Sequence, residues 1–282
     1  MDTTHAPIEQ ALIRLSDGHM MPQLGYGTWQ VTEGTADLVR DAISAGYRSI
    51  DTASIYGNEK EVGEGIANGG VPREQLFVTT KLWNADQGYD STLAAFDASL
   101  DRLGLEYVDL YLIHWPVPSR GLYYDSWQAM TRLRDEGRIR SIGVSNFLPE
   151  HIERIIGEAG VKPVLNQIEL HPRFQQRKVR DYHAEHEILI EGWSPLGRGG
   201  VLDHPTIETI AEKHGRSPAQ VVIRWHLDQG NVTIPKAADR RHMVDNLSVG
   251  GFSLDAEDMA AIAKMDDPDG RTGPDPSTYA EL

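Results

Sequence analysis

The chain contains no cysteine. Disulfide staples, cysteine-ligated zinc and thiol nucleophiles are thereby excluded. Positive charge is also scarce: 27 Lys and Arg stand against 42 Asp and Glu, a formal net charge of −15. A surface of that sign repels phosphate backbones, so nucleic acid is not an expected partner, although a locally basic pocket can still hold a small anion. Apolar runs are strand-sized, far below the ~20 residues of a spanning helix, and no membrane partner is expected. Residues 1–10 have neither a basic n-region nor an apolar h-region, which points to a cytoplasmic protein. No His-x-His ends a strand candidate. His183 and His186, three apart on a helix candidate, read as a solvated face, so no metal is expected and a metal-dependent barrel hydrolase lacks its ligands.

What the sequence does have is an apolar fraction of 40%, enough for a sizeable core, and a regular alternation. Short β-rich segments are followed by stretches with helical apolar spacing. Strands are predicted at 24–29, 49–53, 76–83, 108–115, 140–146, 164–170, 189–196 and 232–236. Helices are predicted at 35–45, 59–67, 91–103, 126–137, 149–159, 175–186, 217–229 and 239–249. Ser217-Pro218 reads as an N-cap with proline in the first turn, and Gly46, Gly104 and Gly137 as helix stops. A hairpin with an Asp17-Gly18 turn precedes the repeats, a helix at 255–265 follows them, and residues 266–282 form a loop-like tail.

Eight such repeats imply a parallel sheet covered by helices. An open dinucleotide-binding sheet would carry G-x-G-x-x-G in its first strand–helix turn. That turn here reads Gly25-Tyr26-Gly27-Thr28-Trp29-Gln30, without the third glycine and without a helix directly after it. The expectation is therefore an α/β fold: a closed (β/α)8 TIM barrel with an N-terminal β-hairpin and a C-terminal helix and tail, one domain over residues 1–282.

Sites on such barrels form at the C-terminal strand ends. Those ends offer Trp29, Asp51, Lys81, His114, Ser145, Asn146, Gln167, Trp193, Ser194 and Lys236, polar or aromatic finishes to apolar strands. With Tyr56 just beyond the second strand, four residues make an acid-catalyst set. Tyrosine is protonated at neutral pH. A Lys81 ammonium would favour the tyrosinate left after donation and lower that pKa, Asp51 would hold Lys81, and His114 would orient a substrate oxygen. Each has a structural alternative: Asp51 as a turn cap, Tyr56 packed at a helix entrance capped by Asn58, His114 as a satisfied interior histidine. Lys81 within an apolar strand resists such a reading, since lysines are rarely buried without a partner.

At these residues the chain resembles the aldo-keto reductase superfamily, and within it the short prokaryotic group that includes the 2,5-diketo-D-gluconate reductases. The resemblance runs from Leu15 to the tail. It is carried by Ser49-Ile-Asp-Thr-Ala-Ser-Ile-Tyr-Gly-Asn-Glu59, Phe77-Val-Thr-Thr-Lys-Leu-Trp83, Val108-Asp-Leu-Tyr-Leu-Ile-His-Trp-Pro116, Ile142-Gly-Val-Ser-Asn-Phe147, Asn166-Gln-Ile-Glu-Leu-His-Pro172 and Ile234-Pro-Lys236. It implies NADPH-dependent reduction of small or sugar-derived aldehydes and ketones by a monomer, with the tetrad Asp51, Tyr56, Lys81 and His114 and Tyr56 as proton donor. It further implies Ser145, Asn146 and Gln167 on the nicotinamide amide, Trp193 stacked on its ring, and Ser194, Leu196 and Gly197 as a pyrophosphate strap. Lys236 and Asn246 would serve the adenosine end. Trp29, Ile55, Trp83 and Trp115 stand beside the tetrad as pocket walls. A non-catalytic nicotinamide-nucleotide-sensing barrel is the alternative, against which the intact tetrad argues.

Two positions depart from the pattern. Ala237 replaces a serine often found after the lysine, and His242 replaces an arginine that grips the 2′-phosphate. Arg240 and Arg241 are candidates to substitute. A histidine of ordinary pKa is mostly neutral at pH 7, so NADH is expected to be possible as well as NADPH. Two loops at the mouth, 116–123 and 198–204, are short, which implies an open pocket. Arg120, Arg198 and Arg271 are either surface charge or candidates to attract a carboxylate.

Overall fold

The structure is a computed structural model and describes residues 11–282; the reading of residues 1–10 lies outside that range. Two short strands, β1 (Leu12–Arg14) and β2 (Met20–Pro22), pair antiparallel with Ile13 opposite Met21. Asp17-Gly18 makes the turn, Gly18 taking a φ of 98°, a region open to glycine because it lacks Cβ. Eight parallel strands follow in the order of the chain: β3 (Tyr26–Gly27), β4 (Ser49–Asp51), β5 (Phe77–Leu82), β6 (Val108–Ile113), β7 (Ile139–Ser145), β8 (Leu165–Glu169), β9 (Leu189–Trp193) and β10 (Val232–Thr233). A parallel bridge between Leu24 and Thr233, with Gly25 N–H donating to the Thr233 carbonyl at 2.9 Å, joins the two outer strands. The sheet closes into the expected barrel.

Around it run α1 (Thr35–Ala45), α2 (Glu59–Ala67), α3 (Tyr89–Leu103), α4 (Tyr123–Asp135), α5 (Pro149–Ala159), α6 (Arg177–Glu185), α7 (Pro205–His214), α8 (Pro218–Asp228), α9 (Arg240–Leu247) and α10 (Ala256–Ala263). The Ser217 reading is accurate: its hydroxyl accepts from Gln220 N–H, while the Gln220 side chain accepts from Ser217 N–H, a reciprocal cap. Among the described residues no helix is long and apolar enough to cross a membrane.

Three differences from expectation matter. α7 was not foreseen, and it packs Ile207, Ile210 and Ala211 against α8 and α10. β9 stops at Trp193 and β10 at Thr233, so Ser194, Leu196 and Lys236 lie on loops beyond the strands. The tail is not loose. It folds back across the barrel mouth, with Tyr279 against Trp115 and Thr272 hydrogen-bonded to Glu169.

The two ends of the barrel differ in character. At the N-terminal end Leu15 and Met21 of the hairpin pack on Phe77, Leu110, Leu112, Val164, Leu165 and Val232, and Ser141 donates to Asp17 at 2.7 Å. That end is an apolar plug, which leaves the opposite end for chemistry.

Candidate active site

In a parallel ladder, register fixes which side chains share a layer. Ser145 pairs with Gln167, Gln167 with Glu191 and Glu191 with Val232, a polar row across three strands. Facing it, β4 ends on Asp51 and β5 carries Lys81, whose side chain has no solvent exposure. The Lys81 ammonium donates to Asp51 Oδ1 at 2.6 Å and to the Thr52 carbonyl at 2.8 Å. Asp51 Oδ2 accepts from Gln167 Nε2 at 2.8 Å. A charge so deep in apolar surroundings persists only with such partners.

Tyr56 closes a single 3-10 turn, Ser54–Tyr56. Ser54 Oγ donates to the Lys81 carbonyl at 3.0 Å, pinning the turn to β5. Asn58 does not cap α2, contrary to one sequence alternative. Its amide donates to the Thr28 and Val31 carbonyls and its oxygen accepts from Thr52, so it ties the loops after β3 and β4 together. Tyr56 is thereby set with its ring centre 5.2 Å from Lys81 Nζ and 5.8 Å from the His114 ring. The four residues of the predicted tetrad meet at one point.

Their protonation is less simple than expected. Burial raises the Tyr56 pKa, and although Lys81 opposes this by charge and hydrogen bond, Asp51 reinforces it, so the net shift is upward. The expected lowering by Lys81 is outweighed. Tyr56 is therefore firmly protonated at neutral pH. Burial, then Lys81, push His114 well below its ordinary value, so it is a neutral imidazole. Among the described residues its buried Nδ1 has no hydrogen-bond partner; an N–H there would find no acceptor, so the proton belongs on Nε2. For Lys81, burial disfavours the charge, but Asp51 and Tyr56 more than restore it.

The neighbouring polar groups form a cradle. Ser145 Oγ donates to the Gln167 carbonyl at 2.8 Å and accepts from Asn146 Nδ2, which also donates to the His114 carbonyl. Trp193, half-buried, donates from Nε1 to Asn146 Oδ1 at 2.8 Å. Asn146 and Ser194 both hold positive φ, 61° and 48°, strained backbone of the kind that collects at functional sites. Beyond Ser194 the strap is a 3-10 turn that consumes the N–H groups of Gly197, Gly199 and Gly200, so Gly197 N–H is not directed at an anion as expected. Arg198 of that turn lies 5.1 Å over the Trp29 ring.

The surface expected to serve the adenosine end is weakly basic. Lys236 is exposed. Arg240 turns away to Ser44 and the Asp41 carbonyl, and is corrected from a phosphate candidate to an inter-helix contact. His242 Nδ1 lies 2.9 Å from Asp239, with Arg241 3.4 Å from its other nitrogen. Asn246 is buried beside the Tyr47 hydroxyl.

Of the predicted walls, Trp83 packs edge-on to His114 at 5.3 Å and Trp29 and Ile55 are exposed at the rim. Trp115 is covered by Tyr279 at 4.4 Å. The mouth is thus narrowed by the tail: Glu281 accepts from Asn84, and Glu169 accepts from Thr272 N–H and hydroxyl and from Gly273 N–H. Gly273 lies so near Trp193 that an added Cβ would sit 2.4 Å from the ring. Arg120 is spent on the Asn84 carbonyl, and Arg271 stacks on Phe174; neither is a free anion contact. Sequence reasoning missed Glu169, Glu191, Asn58 and Tyr279. Glu169, Glu191 and Asn58 adjoin predicted site residues; for Tyr279 no local signal existed.

The profile of the Aldo/keto reductase family matches residues 23–267. The chain belongs to the aldo/keto reductase family. It is 54% identical to an aldo-keto reductase of Mycolicibacterium smegmatis, covering 95% of this chain and 97% of that one. It is 48% identical to methylglyoxal reductase DkgA of Escherichia coli, covering 95% and 98%. A crystal structure of a mutant of Gox0644 in complex with NADPH superposes with a TM-score of 0.93 at 51% identity, over 96% and 99% of the two chains. The polar row suits such a nucleotide. The second lone pair of Asn146 Oδ1 remains for a carboxamide N–H, and Trp193 offers an aromatic face beside the tetrad.

Proposed function

We propose that this protein reduces small or sugar-derived aldehydes and ketones to alcohols with NADPH, Tyr56 acting as the general acid. The observation that carries the reading is the meeting of a buried Lys81–Asp51 ion pair with the Tyr56 ring and a neutral His114 at the barrel mouth. The NADPH complex of Gox0644 and the methylglyoxal reductase relative support the cofactor and the substrate class.

Ser145, Asn146 and Gln167 would hold the nicotinamide amide and Trp193 its ring; Ser194, Leu196 and Gly197 would border the pyrophosphate, and Lys236, Arg241, His242 and Asn246 the adenosine. When bound, the reduced nicotinamide supplies the hydride. The chain does the rest. His114 Nε2–H donates to the substrate oxygen, polarising the carbonyl without adding a net charge. Tyr56 transfers its proton to the same oxygen as negative charge develops there. The resulting tyrosinate faces Lys81, which Asp51 and the Thr52 carbonyl hold in place. Trp83 and Trp115 exclude water from one side, while Trp29 and Ile55 leave the rim open to small substrates. We place this activity in a cytoplasmic monomer, a state that sedimentation equilibrium checks.

Tyr56→Phe tests the reading. The carbonyl turnover should fall about 10²–10⁴-fold, the usual worth of a positioned general acid, with NADPH affinity by fluorescence titration nearly unchanged. Retained turnover would remove Tyr56 from the mechanism. Equal inertness of both proteins across aldehydes and ketones would mark a nucleotide-binding barrel instead.

A further inference from the structure

One buried carboxyl in the barrel has no part in that mechanism. Glu191 of β9 is wholly buried and lies in the ladder between Gln167 and Val232. Its Oε2 accepts from Gln167 Nε2 at 2.7 Å, the same nitrogen that donates to Asp51 Oδ2 at 2.8 Å. One amide group thus divides its two hydrogens between two carboxyls. Glu191 Oε1 is buried with no hydrogen-bond partner among the described residues.

The charge count then decides the protonation. The charged groups acting on Glu191 are Asp51 from β4 and Lys81 from β5, and Glu191 acts in turn on Tyr56 from the 3-10 turn. Its ladder neighbours Gln167 and Val232 carry no charge. Lys81 is committed to Asp51 at 2.6 Å and to the Thr52 carbonyl. Among the described residues no cation remains to pair with Glu191, and a buried carboxylate with one hydrogen bond and a bare second oxygen is strongly disfavoured. The proton therefore sits on Glu191 and the negative charge on Asp51.

We propose that Glu191 is a positioning residue of the reductase site that must keep its proton, and that its ionisation contributes to the alkaline limit of carbonyl reduction. This rests on the reductase reading above. Protonated Glu191 lets Gln167 hold Asp51 without adding charge to the interior. Once ionised, it adds a second negative charge near Tyr56, making the phenol a weaker acid. Burial and Asp51 push Glu191 up to about 8.

The test compares kcat against pH for NADPH-dependent methylglyoxal reduction by wild type and Glu191→Gln, an isosteric amide that cannot ionise. The wild-type rate should fall near pH 8, and in the variant the fall should move up by about one pH unit or more, whatever the plateau height. Coincident limbs overturn the proposal. Infrared titration of the cofactor-free protein gives a second readout: a protonated-carboxyl stretch at about pH 6 should vanish by about pH 10 and be missing in Glu191→Gln. Its absence from wild type also overturns the proposal. Should the variant fail to fold, wild type alone decides, because a rise of tyrosinate absorbance along the rate limb would assign the limb to Tyr56. A protein inert on every carbonyl, yet showing the titrating carboxyl, would sink the reductase reading and leave the Glu191 proton in place.

Discussion

At the scale of single residues, the surface proposed for the cofactor's phosphate end shows how one substitution redistributes charge. Where the family pattern has an arginine, His242 sits 2.9 Å from the Asp239 carboxylate, and Asp239 also caps α9 through His242 N–H. Backbone hydrogen bonding holds the Asp239 pKa below its ordinary value, so a full negative charge stands beside the place proposed for a 2′-phosphate. Among the described residues only Lys236 and Arg241 oppose it, Arg240 being turned toward α1. NADPH and NADH should therefore support comparable kcat/KM, and His242→Arg should raise the NADPH preference by about tenfold, roughly the 1.4 kcal/mol of one charge-assisted contact. An unchanged ratio would mean that Lys236 and Arg241 already supply the whole grip. The spacing from Lys236 to His242 and Asn246 was legible in the sequence. The aim of Arg240 was not, because the face a helix residue presents depends on what α9 packs against. Glu191 escaped for a related reason. Two residues before Trp193 it reads as one charged residue in a strand, and only closure of the barrel brings it opposite Asp51.

At the scale of elements, the tail behaves as a part of the site. Glu169, the last residue of β8, accepts from Thr272 N–H at 2.7 Å, Thr272 hydroxyl at 2.6 Å, Gly273 N–H at 3.0 Å and His171 Nε2 at 3.1 Å. Although burial alone would raise the Glu169 pKa, these donors hold it below the ordinary carboxylate value. The latch is therefore closed through the whole neutral range. Glu169→Gln replaces one acceptor oxygen by a donor and must leave some of these hydrogens unpaired. It should loosen residues 272–281, raise KM for small carbonyls by about tenfold with a smaller change in kcat, and speed amide exchange at Thr272 and Gly273. Exchange as slow as in wild type would show that Tyr279 on Trp115 and Gly273 on Trp193 hold the tail unaided. The strand–helix alternation was legible because period and turn signals are local. Contacts between Glu169 and Thr272 are a hundred residues apart and leave no such trace, so a Gly-, Pro- and Asp-rich tail reads as loop. α7 was missed for a different reason. His204-Pro205, apolar Ile207, Ile210 and Ala211, and Gly215 are sound local signals, but one helix per repeat leaves no room for a second after β9.

At the scale of the whole molecule, the barrel divides its labour. The hairpin seals one end with apolar contacts, whereas the other end gathers positive φ at Gln30, Val117, Asn146, Ser194 and Arg198, local strain the packed end must outweigh. The barrel axis adds a second opposition to folding, because it buries two carboxyls against one ammonium. For Glu191 the folded-state pKa of about 8 stands above the ordinary 4.5. The folded protein thus binds this proton more tightly than the unfolded chain does. The resulting stabilisation is complete below about pH 4.5 and is lost as pH rises through about 8. Other groups, and the repulsion of a surface with net charge −15, also change with pH, so the wild-type curve alone is not diagnostic. The difference between wild type and Glu191→Gln is. Urea midpoints of the variant should gain steadily on those of wild type from about pH 5 to about pH 9, the gain coming from a charge the variant never has to bury. Parallel midpoints would mean that Glu191 is ionised in both states. In that case the interior carries two negative charges against Lys81, and the case for a protonated partner of Asp51 fails at the level of stability as well as rate.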